Sequence, residues 1–395
     1  MQPNEARRVI ESLRKGIPPD GFVRDFTVGR REEIKELQRH LSDSGRTALL
    51  LKANYGAGKS HLIRFIREEA LEQRFAVSVV TLDSSSAIRF NRMDQIFGAV
   101  CRNIETPDQC HTKGIRCFLD ALKDQISAKS KGPFWNDLSN GWKWDYSEHL
   151  DSPALFVAIR AWVTGNAETC DLIEDWLLNP WQYIGQRKRL YTHLVENMRK
   201  HFRDSRPEWK FYADEVFMFH TGGYTQSWAA LRDLKRLACD LLGLKGFVIL
   251  FDEFEDVITN LRNVTHQEAA FWNLFHFYSG KQFPGKTFYA VTPEFVEKCK
   301  RRLLQKGRWD MDLSRFDALP KFEMSPLSLP DLVSLGEKIV KIHSLAYEWN
   351  GQFTIRRKDL EAWIKEATKV QMQDRTRQAI ITTVKRLDTL FQDAE

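Results

Sequence analysis

Short apolar runs alternate with helical patterns along much of the chain. Four runs have the length and composition of buried strands and a weaker fifth follows: Thr47 to Leu51, Ala76 to Leu82, Phe247 to Phe251, Thr287 to Val291 and Lys321 to Met324. Between them, apolar residues recur at the spacing of one helix face, for example from Leu62 to Ala70 and from Trp228 to Leu241. This alternation predicts an α/β fold with a doubly wound parallel sheet.

The alternation is interrupted between about Thr106 and Thr225. This stretch of some 120 residues contains seven of the chain's twelve tryptophans and has no clear pattern of parallel strands. We therefore predict a large helical insertion. Aromatic groups such as Phe134-Trp135 and Trp142-Lys143-Trp144 are typical of ordinary core, or of a face that binds a partner.

After Pro326 the pattern becomes wholly helical. The chain is therefore expected to divide into an N-terminal segment over residues 1–45, a core over 46–325 that includes the insertion at about 106–225, and a helical domain over 326–395.

Composition and charge narrow the class of protein. No run approaches the roughly 18 apolar residues of a spanning helix, and the first residues lack an apolar signal region, so we expect a cytoplasmic protein without a membrane partner. Six scattered cysteines favour reduced thiols over a disulfide framework. The net charge is +6, and a run of cations without acids extends from Lys298 to Arg308. Such a run favours contact with a polyanion, although a solvated helix face is an equal alternative.

A glycine-rich segment follows the first predicted strand and precedes a helix. Residues 53–60 read Ala-Asn-Tyr-Gly-Ala-Gly-Lys-Ser. In such a loop, glycines let backbone N–H groups approach phosphates, Lys59 reaches the β- and γ-phosphates, and the Ser60 hydroxyl ligates Mg²⁺. The residues expected to contact the nucleotide are Asn54, Tyr55, Gly56, Ala57, Gly58, Lys59, Ser60 and His61. The segment therefore predicts binding of ATP and Mg²⁺, with His61 packing on the first helical turn rather than acting in catalysis.

The loop departs from the usual pattern at Ala53, where the first glycine is expected. A small side chain is tolerable there. The departure nevertheless leaves room for a site that binds nucleotide without hydrolysing it.

Carboxylates follow the third predicted strand. Hydrolysis needs one carboxylate for the magnesium shell and a second to orient or deprotonate the attacking water. We predict that Asp252 takes the first role and Glu253 the second. The next acids, Glu255 and Asp256, are interpreted as charges that the dipole favours at a helix N-terminus.

Thr292 ends the fourth predicted strand and is expected level with Asp252 at the carboxyl edge of the sheet. Its hydroxyl could contact a γ-phosphate or the attacking water. It could also cap the helix ahead of Pro293, and the two roles are compatible.

With these motifs in order, the chain resembles the AAA+ ATPases, especially the branch of replication-initiator and origin-recognition proteins. Residues 26–34, Phe-Thr-Val-Gly-Arg-Arg-Glu-Glu-Ile, resemble the segment that packs on the adenine in that family. The resemblance implies base contacts from Val28 and Gly29. It also implies that the predicted doubly wound sheet, which the insertion interrupts, is a P-loop AAA+ sheet and that the C-terminal helical block is its lid.

Two arginine roles come from the same resemblance. The second sensor of the family is an arginine that opens a late lid helix, and Arg377 fits that place, with Arg375 as a close competitor. The run Ser314-Arg315-Phe316 resembles the Ser-Arg signature, which implies that Arg315 is an arginine finger presented to a neighbouring subunit.

More narrowly, the chain resembles the ATP-binding proteins of the bacterial phage-defence islands called BREX systems. The resemblance is carried by residues 6–19, 26–34, 55–62 and 377–388. It implies an ATPase subunit of an anti-phage system that acts on or near DNA, together with further copies of itself or with other subunits.

Two functions are consistent with these features. The first is a DNA-associated AAA+ ATPase whose nucleotide state controls assembly, with the Lys298–Arg308 segment contacting phosphates. The second is a slow-turnover switch or scaffold that grips a protein partner through the tryptophan-rich insertion, which Ala53 would suit.

Overall fold

The structure, a computed structural model, describes most of the chain. The described residues are 1–54, 56–83, 86, 88–109, 113–129, 132–139, 147–186, 189–190, 192–194, 224–257, 261, 263–307, 312–370 and 374–392. Tyr55, Arg308 and the Trp142-Lys143-Trp144 run lie outside them.

A sheet of six strands forms the centre of the described part. The strands are β1 (Ala48–Lys52), β2 (Phe75–Thr81), β3 (Ile104–Glu105), β4 (Gly246–Asp252), β5 (Lys286–Val291) and β6 (Lys321–Glu323). Their order is β3-β2-β4-β5-β1-β6, and every neighbouring pair is parallel except β2 and β3. The prediction of an α/β fold with a mostly parallel sheet is confirmed.

The observed strand bounds differ from the predicted bounds by at most one residue at any end. Met324, just past β6, extends the hydrogen-bonded ladder with β1, because its N–H donates to Lys52 O over 2.8 Å. The antiparallel edge strand β3 was not predicted, because two residues are too few to carry a hydrophobic period.

Helices surround the sheet and make up most of the remaining described chain. They are α1 (Pro3–Arg14), α2 (Val23–Phe26), α3 (Arg31–Ser42), α4 (Lys59–Glu72), α5 (Met93–Arg102), α6 (Ile115–Ala128), α7 (Pro133–Ser139), α8 (Pro153–Thr164), α9 (Ala167–Leu178), α10 (Thr225–Asp240), α11 (Val264–Ser279), α12 (Phe295–Gln305), α13 (Ser314–Asp317), α14 (Leu329–Tyr347), α15 (Gly351–Thr354), α16 (Arg357–Ala367) and α17 (Arg375–Gln392). Within the described ranges, no helix has both the length and the apolar character that crossing a bilayer requires.

Both faces of the sheet are buried. Alternate residues of β4 enter different hydrophobic clusters: Phe247, Ile249 and Phe251 pack with the insertion helices, whereas Val248 and Leu250 pack with α3 and α4. A strand that is buried on both sides needs apolar residues at every position, and this explains why the strands read as continuous runs.

The described part of the insertion is helical and shares the larger of these clusters. Trp162 and Trp176 are fully buried there, and Phe134 and Trp135 pack against it while remaining partly exposed. Core packing therefore accounts for Trp162 and Trp176, whereas the Phe134-Trp135 pair is partly accessible to solvent.

The two ends of the chain share a third cluster. Helix α1 contributes Ala6, Val9, Ile10 and Leu13 to a core formed with α14, α16 and α17. Polar contacts add to it: Arg14 donates to both carboxylate oxygens of Asp388 over 2.8 and 3.0 Å, and Asp388 lies 3.1 Å from the His343 ring. The N-terminal helix is thus fixed to the C-terminal helices.

A buried histidine beneath β5 gives the fold a specific dependence on pH. His40 has no exposed surface, neither ring nitrogen has a hydrogen-bond partner among the described residues, and the ring packs edge-on against Phe288 at 4.9 Å. Burial, aided by Lys286 and Arg46, lowers the pKa of His40 from 6.5 to about 3.

We expect His40→Leu to make stability less sensitive to acid. Below pH 6.5 the unfolded chain binds a proton that the folded chain excludes, so stability present above pH 6.5 is lost as the pH falls toward 3. This proton contributes a slope of up to about 1.4 kcal/mol per pH unit, which the variant should lack in urea unfolding at pH 7 and pH 5. His266→Gln, at an exposed position, is the control. An unchanged slope in His40→Leu would contradict the burial of a neutral ring.

Candidate nucleotide-binding site

A cavity of about 230 Å³ lies where the glycine-rich loop meets both ends of the chain. One end of the cavity is polar and is lined by residues 56–61 and Glu253. The other is apolar and is lined by Leu13, Ile17, Phe26, Leu335 and Ile380. The walls therefore come from the loop, from the segment after α1, and from α14 and α17.

The loop backbone has the conformation that its glycines permit. Gly56 and Gly58 adopt φ values of 71° and 96°, in the left-handed region that side chains with a Cβ rarely enter. Gly58 also precedes α4, which begins without a side-chain cap. An uncapped helix N-terminus presents N–H groups and a positive dipole end, both of which attract an anion.

Ala53 does not distort this loop. It is not among the positive-φ residues of the described chain, and it extends the β1–β5 ladder because its N–H donates to Val291 O over 3.0 Å. Its side chain is buried in the cluster formed with α3 and α4. The backbone at this position has no need of glycine.

Arg30, in the segment of residues 26–34, supports the loop. Its buried guanidinium donates to Ala57 O over 2.8 Å, to Ser325 O, and to Glu33 Oε1 over 2.9 Å. It thereby connects the loop to the chain just before the C-terminal helices.

His61 makes a second connection from the first turn of α4. Its Nε2 lies 3.0 Å from Thr27 Oγ1, and Thr27 O accepts a hydrogen bond from Lys338 of α14 over 3.2 Å. Burial, with nearby Arg30, lowers the pKa of His61 to about 4, so the ring is neutral at pH 7.

Lys59 forms a buried ion pair with Glu255. The Nζ–Oε1 distance is 2.6 Å, and the side chains are only 6% and 7% exposed. Glu255 directly precedes a helical turn, as its interpretation as a helix N-terminal charge expects, and it is also buried opposite a lysine, which that interpretation did not predict. Asp256 does begin a helical turn at this point.

Glu253 faces the polar end of the cavity. Its φ of 53° turns the chain sharply after β4, and its carboxyl group is half-buried. Burial, then the charges of Glu255 and Asp252, raise its pKa to about 7. The carboxylate is thus a stronger base than an ordinary glutamate. Asp252 is the last residue of β4 and accepts a hydrogen bond from Glu253 N over 3.0 Å.

Thr292 is almost fully buried, and its hydroxyl has no hydrogen-bond partner in the described part of the chain. Two details of its prediction were wrong. The ladder pairs Phe251 with Tyr289, so Thr292 lies two residues beyond the level of Asp252. The residue that caps α12 is Glu294, so the Thr292 side chain does not cap that helix.

The two residues predicted to contact the base, Val28 and Gly29, occupy different positions. Val28 lines the cavity. Gly29 has a φ of 63°, and a Cβ there would overlap the carboxyl group of Asp331, so this glycine allows α14 to approach closely.

Both candidate sensor arginines lie near the loop. Arg377, in the first turn of α17, lines the cavity and donates to Lys15 O over 3.4 Å. Arg375 lines a smaller cavity beside Asn54 and Gly56. The structure brings both arginines to the loop.

Arg315 lies on α13 and does not line the cavity of its own chain. Its side chain is 47% exposed, its Nε lies 3.8 Å from Asp312 Oδ2, and its guanidinium lies 4.8 Å from the centre of the Trp272 ring. The cation is accessible from outside.

The basic segment forms most of α12. Lys298, Arg301 and Lys306 are exposed, but Lys298 lies 4.0 Å from Glu294 Oε2, and Lys300 pairs with Asp317. Part of the positive charge is therefore neutralised within the chain.

One comparison with known proteins bears on this geometry. Residues 1–134 match the family model described as BREX system ATP-binding protein BrxC/D. The chain resembles the BREX ATP-binding proteins. This confirms the predicted resemblance over α1, residues 26–34, the loop and α4. The BREX family match does not reach Asp252, Glu253 or the C-terminal helices. No curated protein and no solved structure matches the chain.

Three parts of the site were not assigned from the sequence. Arg30 and the Gly16–Pro19 segment belong to the stretches that carry the family resemblance, but no role was predicted for them, and the partner of Lys59 was missed. The two prolines after a glycine do signal a helix end, which in the fold becomes a cavity wall. Long-range contacts such as Lys59–Glu255 leave no local signal.

Proposed function

We propose that this chain binds and hydrolyses ATP as an AAA+ subunit of a bacterial BREX anti-phage system. The observation that carries the proposal is the cavity in which a glycine-rich helix N-terminus faces one end and an apolar wall the other. The family resemblance supports ATP as the ligand.

Each end of the cavity suits one part of ATP. The phosphates would lie against the loop backbone and Lys59, where N–H groups and the helix dipole favour negative charge. The base would lie between Val28, Leu13 and Ile380, since flat rings bind well to apolar walls. In this proposal residues 1–45 supply the adenine-side wall, 46–325 the ATPase core and 326–395 the lid.

The residues after β4 and β5 suit hydrolysis. Bound Mg²⁺, held by Ser60 and Asp252, would neutralise charge on the β- and γ-phosphates. Glu253 would accept the proton of the attacking water, a role that its raised pKa favours. The buried Thr292 hydroxyl has a donor and lone pairs to offer that water or the γ-phosphate, and Arg377 would contact the γ-phosphate.

Assembly and DNA contact belong to the same proposal. Arg315 is accessible, as an arginine finger for the site of a neighbouring copy must be. The exposed cations of α12 would contact DNA phosphates.

The alternative is a slow-turnover nucleotide switch whose insertion binds a protein partner. The Lys59–Glu255 ion pair favours it, because a loop lysine that already has a buried partner is less available to phosphates. The partly exposed Phe134-Trp135 pair is the described surface for such a partner.

We expect Glu253→Gln to keep ATP binding and to lower the rate of hydrolysis by about a hundredfold or more, since a general base contributes 10²–10⁴-fold.

Lys59→Ala should abolish ATP binding. Calorimetry and a phosphate-release assay measure the two effects, with the exposed Glu297→Gln as a control that should behave as the wild type. A wild-type rate near zero that Glu253→Gln does not change would favour the switch.

We expect Arg301→Ala combined with Lys306→Ala to weaken DNA binding and its dependence on salt. Removing one phosphate contact should reduce the slope of log affinity against log salt by about 0.9 on duplex DNA. Fluorescence anisotropy at several salt concentrations measures the slope. Arg356→Ala with Lys358→Ala, which removes two exposed cations from the lid, is the matched control. Equal slopes in both double variants would exclude Arg301 and Lys306 as DNA contacts.

A further inference from the structure

Glu255 is the acid that the proposed reaction leaves unused, although it lies beside the most important cation of the loop. Its Oε1 is 2.6 Å from Lys59 Nζ, whereas Ala53 O, a second acceptor, is 3.5 Å away at the limit of a hydrogen bond. Of these two acceptors among the described residues, the carboxylate is the closer partner of Lys59.

We propose that Glu255 competes with the nucleotide phosphates for Lys59 and thereby sets the affinity for ATP and ADP. The inference rests on the proposed function, since it requires that the loop binds ATP. It adds a positioning residue, which acts on the nucleotide through Lys59 and does not touch the nucleotide itself.

The direction of the two attractions supports competition. Lys59 lines the cavity and Glu255 does not. Phosphates inside the cavity and the Glu255 carboxylate therefore attract the ammonium from different sides. To the extent that Lys59 stays with Glu255, its charge is neutralised and its attraction for phosphate falls.

The energetics allow the exchange of partners. Both side chains are more than nine-tenths buried, and the desolvation of two charges offsets much of the attraction between them. The second oxygen, Glu255 Oε2, is buried and has no hydrogen-bond partner among the described residues. A nucleotide polyphosphate, which carries several negative charges, can therefore replace Glu255 as the partner of Lys59.

The same competition favours release of the product. When Lys59 moves to the phosphates, Glu255 becomes a buried carboxylate without its cation. It then lies near two further acids, since the charges of both Glu255 and Asp252 act on Glu253. That unfavourable state is relieved when Lys59 returns. Glu255 should therefore weaken ADP as well as ATP. It should leave AMP unaffected, because this lysine reaches the β- and γ-phosphates.

The test compares the dissociation constants of ATP, ADP and AMP, each with Mg²⁺, in the wild type and two variants. Glu255→Gln removes the competing charge and should tighten ATP and ADP by about tenfold to hundredfold, which corresponds to one charged hydrogen bond. Glu255→Asp keeps the charge but shortens the side chain, so it should also tighten both. AMP affinity should stay the same in all three proteins.

The matched control is Glu105→Gln, which makes the same change in another buried ion pair, with Arg67 at the far edge of the sheet. It should leave all three affinities unchanged. Thermal unfolding of each variant shows whether it is folded. If Glu255→Gln does not fold, the comparison of affinities is made with Glu255→Asp.

Three results would overturn the proposal: Glu255→Gln with equal or weaker ATP affinity, an equal gain for AMP, or Glu255→Asp with wild-type affinities. Failure of the proposed function is distinguishable. If the wild type binds ATP but does not hydrolyse it, the competition is still tested. If Glu255→Gln binds ATP and the wild type does not, the competition is supported. If neither the wild type nor Glu255→Gln binds ATP, both proposals fail.

Discussion

The site depends on hydrogen bonds that the end of β5 accepts from the segments following β1 and β4. Ala53 N donates to Val291 O over 3.0 Å, and Phe254 N donates to Ala290 O over 3.1 Å. The loop after β1 and the turn after β4 are thus both fixed to the end of one strand. Because the three strands are parallel, their carboxyl ends meet at one edge, and Lys59 and Glu255 come within 2.6 Å across β5.

A second consequence concerns the far side of the cavity. Helix α1 shares a hydrophobic core with the C-terminal helices, and Arg14 pairs with Asp388 of α17. The segment that follows α1 therefore reaches the cavity together with α14 and α17. Contacts of Arg30 with Ala57 O and of His61 with Thr27 link this assembly to the loop.

The sequence predicted the parts of this arrangement that have a local signal. Buried parallel strands are continuous apolar runs, so β1, β2, β4 and β5 were located to within one residue, and the strand-loop-helix order placed the loop. The contacts between distant segments were not predictable. The sequence predicted the helix start at Glu255 but not its ion pair with Lys59, because a helix start has a local signal and a contact between distant segments has none. The register that sets Thr292 apart from Asp252 likewise exists only once the strands pair.

In the proposed function, ATP binds between the loop, the segment after α1 and the start of α17. Hydrogen–deuterium exchange with and without ATP and Mg²⁺ tests this placement. We expect ATP binding to slow exchange in residues 13–19, 56–62 and 375–381 together, because residues of all three segments line the two neighbouring cavities at the loop. Slower exchange confined to 56–62, with the two terminal segments unchanged, would contradict it.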